Sequence, residues 1–478
     1  MPPAMSQAAS LDAPNPIDTP AFKARRTQNW IVLGLLYAFF YMTRYNFAAN
    51  MDGLAKLFGW TNTQLGIFET VLPLVYGLSV VVNGPISDRI GGKKAFLFGA
   101  VGVTIMNILY GLGIMLVQTP AEVTGKGHSI AVLKPAVMHF GLSGGTVLTG
   151  LAVVWGINAY FQSFGALSIV KVNAQWFHVR ERGVFSGIFG VLIRFGLILA
   201  FSGAPLLAAT LGLQYAFLLP GVVVGILFVV NYFLMENAPA DAGFPGVDTG
   251  DGSGAGGGED DKPPTLRFVL AKVFASRAAW IIAFGSMMLG LVRRSTVDSW
   301  FAKYFAESYV PHGLDKSSFP AYQAAAWGIA LLGIAGGFAF GAASDRVFHA
   351  RRAPVVTMGF IGMGVTLALF GLTDRLAPGP WQAALFVSIL SFFVNGSHGM
   401  IGGAASMDFG GRKAAATAAG LFDGMQYLAS SVVGLGMGYT IDRWGWKAWQ
   451  WVPIPFAVLG AALMVTLWNV KPKGAGGH

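Results

Sequence analysis

Twelve apolar stretches, each about the length that crosses the hydrocarbon core of a bilayer as a helix, account for most of this 478-residue chain. They run over 29–50, 64–86, 94–117, 145–170, 184–209, 213–235, 279–303, 320–343, 354–373, 381–404, 414–440 and 449–469. In lipid a backbone must satisfy its own hydrogen bonds, and a helix does so within one segment. Charged residues make up 11% of the chain, against roughly 25% in soluble domains, so a soluble fold is excluded. The expected class is an all-α integral membrane protein. Its 65 glycines suit helices whose backbones approach closely.

A net charge of +10 would suggest nucleic acid in a soluble protein. Here the basic residues explain it by position. Lys23, Arg25 and Arg26 precede the first span; Arg89, Lys93 and Lys94 follow the second; Arg180 and Arg182 follow the fourth. The alternation resumes with Lys262, Arg267, Lys272 and Arg277, then Arg346, Arg351 and Arg352, then Arg412 and Lys413, and ends at Lys471 and Lys473. Basic loops stay on the cytoplasmic side, which places both termini in the cytoplasm of a bacterial inner membrane and removes any need for a nucleic-acid partner. The polar first 28 residues lack a short apolar core and a cleavage site, so the first span is expected to act as its own insertion signal. Cysteine is absent, which excludes disulfides and thiolate chemistry. Nothing in the chain resembles a catalytic triad, a metal set or a phosphate-cradling loop ending in Lys-Ser/Thr; the expectation is a protein that is not an enzyme and takes no cofactor.

The spans divide into two sets of six. Gly84-Pro85-Ile86-Ser87-Asp88-Arg89-Ile90-Gly91-Gly92-Lys93-Lys94 closes the second span, and Gly341-Ala342-Ala343-Ser344-Asp345-Arg346 closes the eighth. The two aspartates stand 257 positions apart. Two further residues repeat at nearly the same interval: Arg44 and Arg293, 249 apart, lie inside the first and seventh apolar stretches. The domain reading is therefore a tail at 1–28, a six-helix bundle at 29–235, a linker at 236–278, a second bundle at 279–469 and a tail at 470–478. The run from Asp248 to Asp261 is charged and glycine-rich with nothing to bury, as in a solvated tether. The paired loops read as a cytoplasmic gate, in which Asp88 and Asp345 accept from an opposing helix N-terminus or a nearby arginine while Arg89 and Arg346 hold the loop at the headgroups.

Arg44 and Arg293 need a separate explanation, because a guanidinium cannot shed its charge and costs about 3 kcal/mol at mid-bilayer even on the lenient insertion scale. A multivalent anion passing between them is one reason; a structural ion pair, Arg293 with Asp298, is the other. Tyr37 and Tyr41 precede Arg44 by seven and three residues, so the three share a helix face. Together with Tyr76 in the second span, they either donate to an anion or pack.

The repeated Gly-x-x-x-Asp-Arg loops resemble the signature of the major facilitator superfamily. Within it the chain resembles the organophosphate:phosphate antiporters through several segments. These are Tyr41-Met42-Thr43-Arg44-Tyr45-Asn46-Phe47-Ala48, Val292-Arg293 to Asp298-Ser299-Trp300, Leu314-Asp315-Lys316-Ser317-Ser318, Arg412 to Gly420, and Glu236-Asn237-Ala238-Pro239 to Gly243-Phe244. The resemblance implies two pseudo-symmetric bundles, a phosphate clamped by one arginine from each half, and exchange of a small anionic ester for inorganic phosphate by a monomeric carrier in the lipid bilayer. It implies Tyr37, Tyr41 and Tyr76 at the same site, with Gln175 and Asn395 at positions the family gives to a histidine and a tyrosine. Other positions depart too. Val80 replaces a lysine, Gly165-Ala166-Leu167-Ser168 replaces a Gly-Trp-Pro-Pro run, and Gly290 replaces a tyrosine.

The chain adds Lys171, Arg194, His398 and Asp423 as further site charges, together with Glu69. Arg194 either supplies the lost basic group or pairs with an acid such as Asp423. Lys171 and Gln175 share a face near the cytoplasmic mouth. His398 reads more as a hydrogen-bonded packing residue than as a proton relay. The long outer loop 118–145 has no functional reading. Two rival functions remain: proton-coupled symport of another organic anion, such as a sugar acid, and a transporter-like sugar-phosphate sensor.

Overall fold

The computed structural model describes residues 19–117, 144–177, 182–244, 276–349, 351–376 and 379–470, and each expected span contains a helix. The first six helices are α1 (Pro20–Ala49), α2 (Asn62–Ile90), α3 (Gly92–Val117), α4 (Gly144–Trp176), α5 (Arg182–Ile198) and α6 (Tyr215–Leu234). The second six are α7 (Arg277–Ser295), α8 (Pro320–Arg346), α9 (Arg352–Leu376), α10 (Pro380–Gly399), α11 (Ser406–Trp444) and α12 (Ile454–Val465). Wider π-type turns at Leu199–Gly203 and Met400–Ala405 continue α5 and α10. Among the described residues eight helices are long and apolar enough to cross a membrane by length and composition. The helices carrying Arg44 and Arg293 are not in that set. The core of the linker, most of the 118–145 loop, Arg180, the side chains of Asp88, Arg412 and Lys413, and most of both tails lie outside the described residues.

Local chemistry sets the helix ends. Thr61 accepts from the Gln64 N–H at 3.3 Å while the Gln64 side chain accepts from the Thr61 N–H at 3.0 Å, a reciprocal cap on α2. Proline opens α1, α8 and α10, where its missing N–H costs nothing. Helix α1 starts at Pro20, ahead of the apolar stretch at 29, because Thr19 accepts from the Phe22 N–H and the buried Phe22 ring packs on Trp176 and Phe244. Helix α12 starts later than its apolar stretch. Pro453 and Pro455 disfavour helix before them, so 449–453 forms turns and the helix begins at Ile454.

The motif after α6 ties the first half together at the end of the bundle that carries the basic loops, the basic end. Glu236 pairs with Lys93 at 3.0 Å and Arg25 at 3.7 Å. Its backbone N–H donates to Asn29 and its carbonyl accepts from Asn29 and Trp176. One short segment thus joins α1, the α2–α3 turn, α4 and α6.

The expected seventh span is broken. Helix α7 ends at Ser295, and a second helix, Phe301–Ser308, follows a turn. Ser295 and Thr296 bond back to the carbonyls of Leu291 and Val292, and the Asp298 N–H donates to the Arg293 carbonyl at 3.2 Å. Such a break within the membrane survives only where protein or a cavity surrounds it. It swings Asp298 back beside Arg293. A matching break at Asn50 separates α1 from Met51–Phe58.

The two halves meet at the end opposite the basic loops, the far end. Asp442 at the end of α11 accepts from the backbone and side chains of Asn62 and Thr63 at 2.6–3.0 Å, capping the N-terminus of α2. Lys316 pairs with Asp52. Between these contacts and the midplane Gly66 of α2 lies directly on Gly434 of α11, so closely that a Cβ on either would overlap the other's backbone. Gly66→Val is therefore expected to push α2 and α11 apart, costing about 1–3 kcal/mol. Faster thiol labelling of a cysteine placed at Thr63 would report the opening, and an unchanged rate would show that the helices do not meet there.

Candidate functional site

The site is built outward from Arg44, which is 2% exposed at the middle of the bundle. A chain of buried amides positions the turn of α1 that carries it. Asn46 donates to Asn107, Asn107 to Asn158, and Asn158 to the Thr43 carbonyl, at 3.1–3.3 Å. Gln162 donates to the Thr43 hydroxyl at 2.9 Å and accepts from Arg44 Nη2 at 3.3 Å. Below the guanidinium lie the rings of Tyr76 and Tyr41, their centroids 4.6 and 4.9 Å from Arg44 Cζ, an arrangement that attracts a cation to the π face. Arg44 Nε and Nη1 are buried and have no hydrogen-bond partner. Among the described residues no carboxylate lies within ion-pair distance of it.

Arg293 is held differently. Its Nε lies 2.6 Å from Asp298 Oδ2, although the N–H is not aimed at that oxygen, and Asp298 also accepts from the Tyr45 hydroxyl of the other half at 3.3 Å. The ion pair weighed from the sequence as an alternative is thus present. The neighbouring Arg294 reaches Glu69 of α2 at 2.7 Å, and Glu69 accepts from Ser299 at 2.6 Å. Glu69 and Arg294 are both buried. The two successive arginines of α7 therefore do different things: one faces the midplane site, and the other ties the halves together.

The remaining expected residues lie partly beside this pair and partly at the basic end. Asp423 of α11 is within electrostatic reach of both Arg44 and Arg293 yet has no hydrogen bond or ion pair among the described residues. Arg194 does not pair with it. Arg194 donates across the halves to Asn395, whose amide N–H groups are used by the Ser391 carbonyl and hydroxyl. Tyr37 packs edge-on against Tyr41, with ring centroids 5.2 Å apart, and touches Phe40 and Phe96. His398 Nδ1 lies 3.1 Å from Gln426 Oε1, which matches a hydrogen-bonded packing residue. Lys171 donates to the Ser87 carbonyl at 3.1 Å, near the basic end, with Gln175 one turn further along α4. In the expected gate Asp345 pairs with Arg352 of its own half at 2.5 Å, while Arg89 and Arg346 are exposed. Gly290, where the family has a tyrosine, lets the backbone of α11 at Gln426 lie against α7.

Three contributors escaped the sequence reading. Gln162 hydrogen-bonds Arg44, and its sign was a polar pair, Asn158 and Gln162, four apart in an apolar run. Tyr427 of α11 packs tilted against Tyr76, centroids 4.5 Å apart, and so closes the tyrosine floor from the second half. Arg294 was hidden by its neighbour, since adjacent arginines on a helix point in different directions.

Among the described residues, then, a buried guanidinium with two unpartnered nitrogens stands between two sets of helices. The Major Facilitator Superfamily family profile matches residues 33–434, and the chain belongs to that superfamily. The fold agrees with a solved bacterial homologue of the human lysosomal transporter Spinster, in an inward-facing, unoccupied conformation, at a TM-score of 0.69 and 13% identity, covering 94% of this chain and 98% of that one. Among curated proteins it is similar to a probable hexose phosphate transport protein of Chlamydia trachomatis, 24% identical over 96% of this chain and 94% of the relative. The glycerol-3-phosphate transporter of Bacillus subtilis is 26% identical over 95% and 94%. The membrane sensor protein UhpC of Escherichia coli is 25% identical over 97% and 98%. These relatives are the group that the sequence motifs resemble.

Proposed function

We propose that this protein exchanges an organic phosphate ester for inorganic phosphate by alternating access, driven by the phosphate gradient, in a bacterial inner membrane with both termini cytoplasmic. The observation that carries the reading is Arg44, a buried guanidinium with Nε and Nη1 unpartnered and a hydrogen-bonded amide ladder behind it. Phosphate oxygens match that planar fork, and each charge-assisted bond contributes about 1.5–3 kcal/mol. The similarity to hexose phosphate and glycerol-3-phosphate transporters supports the same cargo class. In this reading phosphate bridges Arg44 and Arg293 and takes Arg293 from Asp298. Asp298 then loosens its hold on Tyr45, so cargo binding is coupled to a contact between halves. An empty carrier keeps Arg44 without a close counter-ion opposite Arg293 and reorients slowly, which makes exchange obligatory.

Purified protein in liposomes tests the reading. Labelled phosphate uptake is expected to require internal phosphate and to leave the lumenal pH unchanged; uptake into phosphate-free vesicles driven by a pH step would overturn antiport in favour of proton symport. Asp298→Asn frees Arg293 and is expected to tighten phosphate binding several-fold while slowing exchange. Equal binding in the variant and the parent would show that Asp298 does not compete with cargo. The similarity to a membrane sensor favours a second reading, in which cargo is bound and signalled but not carried. Binding without measurable turnover would select it.

A further inference from the structure

Arg194 is a third guanidinium at the midplane, and the phosphate clamp does not use it. It rises from α5 of the first half into a niche made by the second. Gly333 of α8 leaves the space: a Cβ there would sit 3.3 Å from Arg194 Cζ, 3.0 Å from the Asn395 amide nitrogen and 3.2 Å from the Ser391 hydroxyl. Ser391 is itself fixed by donating to the Ile329 carbonyl at 2.7 Å. It accepts from the Asn395 amide at 2.8 Å, and this orients the Asn395 oxygen toward Arg194. The niche is therefore built to hold a guanidinium, but among the described residues it supplies one neutral acceptor for a group with five N–H donors.

The charges around it do not balance. Arg194 is half-buried and among the described residues has no carboxylate within ion-pair distance. The groups within its electrostatic reach include Arg293, of like charge, the phenols Tyr41 and Tyr45, His398, and Asp298; Asp298 already lies 2.6 Å from Arg293. Asp423 faces Arg44 and Arg293 instead. Glu69 is committed to Arg294. Three guanidiniums thus face two carboxylates, and Arg194 is the one that neither forms an ion pair nor lies opposite Asp423. A phosphate bridging Arg44 and Arg293 places no anionic oxygen on Arg194 itself, and the Asp298 it releases is not within ion-pair distance of Arg194. A sugar hydroxyl offers Arg194 a hydrogen bond but no charge.

Building on the phosphate-exchange reading, we infer that Arg194, oriented by Asn395, is a second anion subsite, and that the preferred cargo is a phosphate ester carrying a carboxylate. The phosphate occupies Arg44 and Arg293, and the carboxylate reaches Arg194 from the same molecule. Because Arg194 and Asn395 belong to opposite halves, a carboxylate there also bears on the contact between them.

Competition against labelled inorganic phosphate tests this, with glycerol-3-phosphate and 3-phosphoglycerate as probes. Both are three-carbon phosphate esters; the second has a carboxylate where the first has a hydroxymethyl group. The parent protein is expected to bind 3-phosphoglycerate the more tightly. Arg194→Gln should weaken 3-phosphoglycerate by roughly tenfold to a hundredfold, the loss of one charge-assisted contact. Inorganic phosphate and glycerol-3-phosphate should change less than about threefold. Asn395→Asp is the control for folding: it retains Arg194 but occupies it with a fixed carboxylate, and should remove the same preference. Equal affinity of the two esters for the parent, or equal weakening of all three anions in Arg194→Gln, would overturn the subsite. If inorganic phosphate itself does not bind the parent, the exchange reading fails first and the subsite with it.

Discussion

Replacing Arg44 with methionine is expected to raise the melting temperature of the cargo-free protein and to abolish its stabilisation by phosphate. The two effects have one cause. Arg44 is almost fully enclosed, its Nε and Nη1 have no partner, and its one hydrogen bond to Gln162 is 3.3 Å long. A buried charge without a close counter-ion costs several kcal/mol of desolvation. The two tyrosine faces return only part of that, about 1–2 kcal/mol each at most. Methionine fills similar space without the charge, so the empty protein should gain about 1–3 kcal/mol. Arg44→Lys separates charge from geometry. Lysine keeps the charge but loses the fork, so phosphate exchange should fall at least tenfold to a hundredfold with expression retained. Arg293→Lys should do the same to exchange but little to the empty protein's stability, because Asp298 already compensates Arg293. Thermal unfolding with and without phosphate, alongside exchange in liposomes, measures all three variants. Normal exchange by Arg44→Lys would eliminate the central clamp, and a lower melting temperature for Arg44→Met would show that Arg44 is structurally compensated.

Removing one partner of the Glu69–Arg294 pair should be among the most damaging changes in the protein. Arg294→Met leaves Glu69, 1% exposed, with the Ser299 hydroxyl as its remaining partner. Breaking a buried pair from one side costs about 3–5 kcal/mol. Replacing both, Glu69→Met with Arg294→Met, removes both charges from the same enclosed space and should recover most of that loss. The pair also bridges α2 and α7 across the halves, so the double variant should be stable but less firmly closed at the far end. Thermal unfolding of the two single variants and the double variant gives the coupling as a cycle. Labelling of a cysteine at Thr63 reads the closure. Additive losses in the cycle would show that the two side chains do not act as a pair.

The gross fold was legible because its cause is one-dimensional. Stretches of about 20 apolar residues must become helices in lipid, and the Asp88/Asp345 and Arg44/Arg293 repeats divide them into two sets of six. Local stops were partly legible: proline marks the starts of α8 and α10, while the break after Ser295 depends on hydroxyls turning back to carbonyls, which an apolar run conceals. The site was legible in its costliest members. Arg44 stands out because nothing else in its stretch is charged, Arg293 because it repeats Arg44 249 positions further on, and Tyr41 and Tyr76 follow from helical spacing and family motif. Gln162 and Tyr427 did not stand out, since one glutamine or tyrosine in a membrane helix has an ordinary packing explanation.

By itself the sequence determined class, helix count and the presence of two costly charges, each of which depends on what a segment or a charge costs in lipid. Pairing was decided only by the tertiary structure. Which carboxylate compensates which arginine depends on distances of 2.6–2.7 Å between helices far apart in the chain. Spacing along one helix cannot report those distances. Tertiary packing gave Asp298 to Arg293, Glu69 to Arg294 and a neutral amide to Arg194. It left Arg44 without a close counter-ion, because α4 and α2 meet it with an amide and a ring where a carboxylate would have ended its need for cargo.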